Sequence, residues 1–194
     1  VKMRVGFDNT DTFEEILEII NRHNIDLLSL HGRTVKDRYH GEVKYDLIAQ
    51  AVKRLNCPVF ANGNIDSAAT ALKILSQTKA AGVMVGRWAI GNPWIFNQIR
   101  QILQSKPISP VPLIEVREYI DRLRQTPEAV KTPLKARAGH LKMYLNYIAL
   151  LVDTNGHFLR TMRKTQTEVE LLKLCDRVFI NNKNLALAPY SSSK

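Results

Sequence analysis

Three short polar motifs contain the residue types that bind anionic or strongly polar ligands. They are His31-Gly-Arg-Thr34, Asn62-Gly-Asn64 and Gly86-Arg87. Each follows a short apolar run typical of a buried β-strand. Glycine lets a ligand approach the backbone closely, and arginine offers a planar set of donors to phosphate. The motifs therefore predict a ligand site where strands end, with a phosphate at Gly86-Arg87.

The first 96 residues alternate predicted strands and helices. Strands are predicted at residues 1–5, 27–30, 58–61 and 82–85. Helices are predicted at residues 12–23 and 43–55. Two further helices are predicted to begin at Asp66 or Ser67 and near Trp94. Thr12 and Glu15 have the spacing of a capping box at the start of the first helix. This alternation predicts a parallel sheet covered by helices, and ligands bind at the carboxyl ends of such strands. Four strands are half of the usual eight, so this region is predicted to be the second half of a TIM (β/α)8 barrel.

Lys2 and Arg4 lie two residues apart in the first predicted strand and therefore point to the same face of the sheet. Two cations on the interior face of a barrel are unfavourable unless an anion or a polar ligand compensates them. The alternative is an edge strand guarded by surface charges.

Charge is distributed unevenly along the chain, whose net charge is +10. Residues 1–96 carry +2 and residues 97–194 carry +8. Beyond a proline-rich connector, helices are predicted at 113–125, 133–152, 157–165 and 166–181. The second of these has an apolar stripe of Leu134, Ala138, Leu141, Leu145 and Ile148. The predicted domains are 1–105 (barrel), 106–112 (linker), 113–185 (helical) and 186–194 (disordered tail).

A strongly basic helical region attached to a near-neutral α/β region predicts a polyanion-binding module, and the alternative is a solvated basic surface. Candidate contacts to nucleic-acid phosphates are Arg33, Lys135, Arg137, His140, Lys142, Arg160, Arg163 and Lys164.

Cys57 and Cys175 are far apart in the sequence and form no CxxC pair. This pattern predicts a reducing, cytoplasmic setting and argues against a structural zinc site. No apolar run is long enough to span a membrane. Because the chain begins at Val1 within a predicted strand, we expect it to be a fragment.

The motifs at His31, Asn62 and Gly86, together with Gly91-Asn-Pro-Trp-Ile-Phe96, resemble those of the tRNA-dihydrouridine synthases. The opening Val-Lys-Met-Arg-Val-Gly6 matches the motif that precedes them in that family. The basic helices resemble the family's tRNA-binding domain more loosely. This resemblance implies an FMN-containing TIM barrel that reduces uridine in tRNA to 5,6-dihydrouridine, with NADPH re-reducing the flavin.

The resemblance also implies roles for individual residues. The flavin would contact Lys2 and His31 at its ring, Asn62, Gly63 and Asn64 along its ribityl-phosphate arm, and Gly86 and Arg87 at its phosphate. A cation beside the flavin pyrimidine edge stabilises negative charge on the reduced ring. The chain departs from the family pattern at Asn64, where aspartate is usual, and at Trp88, where a small residue is common.

The family's catalytic cysteine follows an earlier strand, so no catalytic residue is assigned in this chain and we expect the polypeptide alone to be inactive. Cys57 precedes a strand and Cys175 is predicted to be buried in the helical region, so neither replaces it. Two alternatives remain open: another FMN-dependent barrel oxidoreductase, or a non-catalytic RNA-binding fragment. The position of the modified uridine and the oligomeric state are not predicted.

Overall fold

Two compact units make up the computed structural model, which describes residues 1–153 and 155–187. The sheet unit contains Val1–Gly86 and Phe96–Lys106. The helical unit contains Arg87–Ile95 and the described residues from Pro107 onward. The sheet unit differs from the predicted 1–105 domain because the segment 87–95 belongs with the helices.

The sheet unit is built from four consecutive βα units. Its strands are β1 (Lys2–Arg4), β2 (Leu28–His31), β3 (Val59–Asn62) and β4 (Gly82–Met84). The helices between these strands are α1 (Phe13–Asn21), α2 (Tyr45–Arg54) and α3 (Ala68–Thr78). A fourth helix, Ile95–Leu103, comes after β4 and belongs to this unit from Phe96 onward. All neighbouring strands are parallel, and they lie in the order β1-β2-β3-β4.

This strand order distinguishes part of a TIM barrel from a doubly wound sheet. Right-handed crossovers that always step in the same direction place every helix on one face. Leu28, Leu30, Val59 and Ala61, which share one face, are at most 2% exposed. Lys2, Ser29 and Phe60 on the opposite face are exposed or half-buried. The α/β fold is therefore that of consecutive units of a TIM barrel, followed by a helical region.

The predicted N-caps of α1 and α3 differ in outcome. Ser67 caps α3 as predicted, because its side chain accepts a hydrogen bond from the Thr70 amide. The capping box at Thr12 is wrong. The backbone of Thr12 has ψ 6° rather than extended geometry, and its side chain makes no capping bond. The chain enters α1 instead through a turn in which the Phe13 amide donates to the Thr10 carbonyl, at 3.0 Å.

The helix predicted from Trp94 begins one residue later. A short helix that the sequence pattern did not predict precedes it. These two helices are α4 (Trp88–Gly91) and α5 (Ile95–Leu103). Within the helical unit, α4 packs so closely on a later helix that a Cβ at Gly91 would lie 2.9 Å from the Tyr147 carbonyl oxygen.

The helical unit contains six α-helices among its described residues. They are α6 (Leu113–Arg124), α7 (Pro127–Lys131), α8 (Leu134–Ile148), α9 (His157–Lys164) and α10 (Glu168–Cys175), with α4 as the sixth. A 3₁₀ turn (Ala149–Leu151) follows α8, and a π-helical turn (Asp176–Ile180) follows α10. The short α7 was not predicted. Ala138, Leu141, Leu145 and Ile148 are buried as expected, but Leu134, the first residue of α8, is 77% exposed.

The ends of the helical unit are held by residues predicted to be linker and tail. Val111 is buried, and its carbonyl accepts a hydrogen bond from the Leu187 amide at 2.9 Å. Ala186 forms an antiparallel bridge with Pro112. The linker and tail boundaries therefore shift: residues 111–112 and 186–187 belong to the packed unit. Residues 188–194 of the predicted tail lie outside the described residues.

Candidate functional site

One row of side chains crosses the carboxyl ends of all four strands on the face without helices. The strand register places Arg4 beside His31, His31 beside Asn62, and Asn62 beside Met84. The parallel sheet thus brings residues from separate motifs to one edge. The prediction that Lys2 and Arg4 share a face is confirmed, because they are in register with Ser29 and His31 on the next strand.

Lys2 lies two residues before Arg4 in β1, in register with Ser29, and its side chain extends toward the carboxyl edge of the sheet. Its Nζ lies 3.5 Å from Asn62 Oδ1, while Asn62 Nδ2 donates to the Met84 carbonyl at 2.8 Å. The amide is thereby oriented with its oxygen toward the cation. Ser29, beside Lys2 in the register, has a buried hydroxyl with no hydrogen-bond partner among the described residues. A buried hydroxyl without a partner is costly, so this face is suited to a polar ligand.

Backbone crowding fixes the turn that follows β3. Gly63 has φ +131°, which side chains rarely tolerate, and a Cβ there would lie 3.3 Å from His31 Cδ2. The Tyr45 hydroxyl donates to the Gly63 carbonyl at 3.0 Å. Burial raises the pKa of that hydroxyl above its ordinary value, which favours the protonated form that donates this bond. His31 itself is 5% exposed.

Arg33 does not have the role that its sequence position predicted. It is only 3% exposed, and its guanidinium donates to the carbonyls of His40 and Gly41 and to Asn64 Oδ1. A buried guanidinium engaged in this way does not contact a nucleic-acid phosphate. Arg33 instead joins the loop after β2 to the turn after β3. Asn64, with φ +49°, accepts this bond at 3.1 Å.

The loop after β2 is also braced by Asp37. Its carboxylate accepts a hydrogen bond from the Thr34 amide at 2.9 Å and lies 3.7 Å from Lys44 Nζ. The hydrogen bonds from Thr34 hold the pKa of Asp37 below its ordinary value, with Lys44 as a smaller contribution. No sequence motif indicated this carboxylate, although its three-residue spacing from Thr34 is typical of a side chain that caps a turn.

Gly86 and Arg87 lie just after β4, with Val85 between the strand and Gly86. A Cβ at Gly86 would meet no atom within 4 Å, so the backbone there is open to a close ligand. Arg87 is exposed and is the residue before α4. The assignment of this pair to a phosphate stays a prediction.

The basic residues of the helical unit fall into two groups. Lys135, Arg160, Arg163 and Lys164 are exposed, whereas Arg137, His140 and Lys142 are half-buried. Arg137 donates to the carbonyls of Val130 and Thr132 at the end of α7. Lys142 Nζ donates to the carbonyls of Arg163 and Thr165 at the end of α9. Cations at helix carboxyl ends stabilise the fold, so these two residues have a structural role.

Arg124 belongs to this region but was missed in the sequence. It lines a cleft of the helical unit together with Arg137, His140 and Glu168, and its Nε donates to Glu168 Oε1 at 2.7 Å. The sequence gives no signal of this cleft, because α10 supplies Glu168 from 44 residues away.

The two cysteines should differ sharply in reactivity. Burial raises the pKa of the Cys175 thiol to about 12, whereas Cys57 is half-buried just before β3. Because the thiolate is the reactive species, we expect one thiol of the native chain to react with a disulfide reagent at pH 8, and two after unfolding. The Cys57→Ser variant should show none until it unfolds. Rapid reaction of Cys175 in that native variant would contradict its burial.

In the part of the chain that the structure describes, no three histidine, cysteine or acidic side chains lie close enough together to hold a metal ion. None of the helices in this same part of the chain is long and apolar enough to cross a membrane.

A parallel βα sheet with converging polar groups at its carboxyl edge defines a ligand-binding protein of the TIM-barrel class. The family model described as dihydrouridine synthase matches residues 1–184. The chain therefore belongs to the dihydrouridine synthase family.

Curated relatives agree with this family. The chain is 32% identical over 187 residues to tRNA-dihydrouridine synthase B of Escherichia coli K12, covering 93% of the chain and 57% of that relative. It is 36% identical over 119 residues to the protein of that name from Pseudomonas aeruginosa, and the match covers 59% of the chain and 36% of that relative. The chain is 41% identical over 111 residues to the Pseudomonas syringae protein of that name, and the match covers 57% of the chain and 33% of that relative. The chain thus spans at most 57% of the length of these relatives.

Proposed function

We propose that this chain supplies the flavin-binding edge and the RNA-binding helices of a tRNA-dihydrouridine synthase, which reduces uridine in tRNA to 5,6-dihydrouridine. The observation that carries this proposal is the row of polar side chains at the strand ends, with Lys2 Nζ 3.5 Å from Asn62 Oδ1, in a chain of this family.

The residues present fit a flavin. Its pyrimidine edge offers carbonyl oxygens and a ring nitrogen that bears negative charge after reduction. Lys2 supplies a cation for this edge of the flavin, and the Ser29 hydroxyl, which has no hydrogen-bond partner among the described residues, lies beside it in the strand register. We propose that Lys2, His31, Asn62 and Gly63 hold the ring and arm of FMN, and that Gly86 and Arg87 hold its phosphate. When bound, FMN supplies hydride chemistry, with NADPH as its reductant.

Asn64 has a different role in this proposal. Because its side-chain oxygen accepts a hydrogen bond from Arg33, it supports the turn after β3 and contacts the flavin through backbone only. Lys2 in turn orients the flavin electrostatically, as it remains exposed enough to approach a ligand.

Lys2→Met should weaken FMN binding by about tenfold to a hundredfold, because hydrogen bonds to charged groups contribute about 1.5–3 kcal/mol. The measurement is a titration of flavin fluorescence with the 194-residue chain. Lys53→Met removes an equal charge from an exposed position on α2 and should leave the affinity unchanged. Equal effects of the two variants would argue against a local role for Lys2, and absence of flavin binding by the wild type would overturn the flavin assignment.

RNA binding is proposed for the exposed cations of the helical unit. Lys135→Glu combined with Arg163→Glu should weaken binding of every tRNA and reduce the slope of log affinity against log salt by about 1 to 2. The control pair, Lys173→Glu with Lys183→Glu, alters the net charge equally at other exposed positions of the same unit. A salt slope that is the same for both pairs would show that net charge, rather than the proposed surface, governs binding.

The rival function, a small-molecule flavin oxidoreductase, makes no use of these helices. A tRNA gel shift with the wild-type chain separates the two, since only the proposed function expects a complex.

A further inference from the structure

Two loops at the carboxyl edge of the sheet are fastened to each other. The Val35 amide donates to the Gly6 carbonyl at 3.0 Å, and the Lys36 amide donates to the Phe7 carbonyl at 2.9 Å. The Lys36 ammonium also pairs with the Asp8 carboxylate at 3.2 Å. The loop after β1 and the loop after β2 therefore present one continuous surface.

The loop after β2 is held in a rigid conformation by hydrogen bonds from Arg4 of β1. Arg4 Nη1 donates to the carbonyls of Thr34 and Arg38, at 2.7 and 2.8 Å. Arg38 adopts φ +52°, and the His40 amide closes a turn by donating to the Asp37 carbonyl at 2.8 Å. Such a braced loop loses little conformational freedom when a ligand binds.

Two aromatic rings are exposed on this rigid surface. Phe7 is 66% exposed on the first loop, and Tyr39 is 58% exposed on the second. The Tyr39 ring lies over the Arg4 guanidinium, whose carbon is 5.7 Å from the ring centroid. Burial in the core does not account for either ring, and exposed aromatic side chains beside cations are typical of surfaces that stack nucleobases.

Charge on this surface favours a polyanion. Arg4 donates to carbonyl oxygens and forms no ion pair with a carboxylate in the part of the chain that the structure describes. Arg38 is exposed at the rim of the same loop. We propose that Phe7 and Tyr39, flanked by Lys36 and Arg38, form a platform on which unpaired bases of the RNA substrate stack. This inference rests on the proposed function and names two stacking residues that it lacks.

The platform is tested with two RNAs of equal length: a hairpin with 2-aminopurine in its unpaired loop, and a fully paired duplex. Phe7→Leu combined with Tyr39→Leu should weaken hairpin binding about tenfold or more and abolish quenching of 2-aminopurine, because one stacked base contributes about fivefold to a hundredfold. Affinity for the duplex should change by less than about twofold, since it depends on phosphate contacts.

Tyr39→Phe keeps the ring and should retain wild-type binding and quenching. Phe96→Leu removes a ring that is 44% exposed on α5, away from these loops in sequence, and serves as the matched control. Circular dichroism and thermal unfolding verify that each variant is folded.

Unchanged hairpin affinity and quenching in the double variant would overturn the platform while leaving the proposed function intact. An equal loss of hairpin and duplex binding would also overturn it, because stacking requires unpaired bases. If the wild-type chain bound neither RNA, the proposed function itself would fail, and the platform with it.

Discussion

Gly63→Ala is expected to lower the free energy of unfolding of the sheet unit by about 2–6 kcal/mol and to eliminate measurable FMN binding. At φ +131° an alanine costs about 1–3 kcal/mol in backbone strain. Its Cβ would lie 2.9 Å from Val43 Cγ1 and 3.3 Å from His31 Cδ2, and such overpacking typically costs a further 1–3 kcal/mol. Relief of this crowding would shift His31 and the turn after β3, on which the proposed flavin contacts depend.

Thermal unfolding and a flavin titration measure these two effects. Gly41→Ala is the matched control, because Gly41 also has positive φ, +71°, but a Cβ there would meet nothing within 4 Å. It should cost only about 1–2 kcal/mol, as expected for a left-handed alanine without crowding. Equal destabilisation by the two variants would mean that close packing around Gly63 contributes nothing.

Phe158→Ala is expected to destabilise the helical unit by about 3–5 kcal/mol, the usual cost of removing a buried phenylalanine. Phe158 is 1% exposed and packs edge-to-face on the fully buried Phe179, with ring centroids 5.3 Å apart. It lies on α9, the helix that also bears Arg160, Arg163 and Lys164. Loss of this anchor should therefore weaken RNA binding as well as stability.

Chemical denaturation followed by circular dichroism measures the first effect, and a tRNA gel shift measures the second. Val169→Ala truncates an apolar side chain that is 62% exposed on α10, and it should change stability by less than about 0.5 kcal/mol. Should Phe158→Ala unfold at the same denaturant concentration as Val169→Ala, the assignment of Phe158 to the core would be wrong.

Local patterns were sufficient for much of the sheet unit. The four strands lie within one or two residues of their predicted positions, because short apolar runs bounded by polar turns depend little on distant contacts. The common face of Lys2 and Arg4 follows from the two-residue period of a strand. Convergence of the His31 and Asn62 motifs follows from the parallel register. The prediction near Trp94 was less accurate, because the sequence around Gly91 and Pro93 was interpreted as a break and the short α4 before it was not predicted.

What the sequence determined by itself was the parallel βα sheet, its polar carboxyl edge and the family to which the chain belongs, because each depends on short-range periodicity and ordered motifs. Only the tertiary structure decided what individual cations do. Arg33 bonds Asn64 from 31 residues away, and Lys142 bonds the Thr165 carbonyl from 23 residues away. A guanidinium or ammonium looks equally suited to a phosphate or a carbonyl in sequence. Burial and the arrival of distant backbone oxygens decide between them.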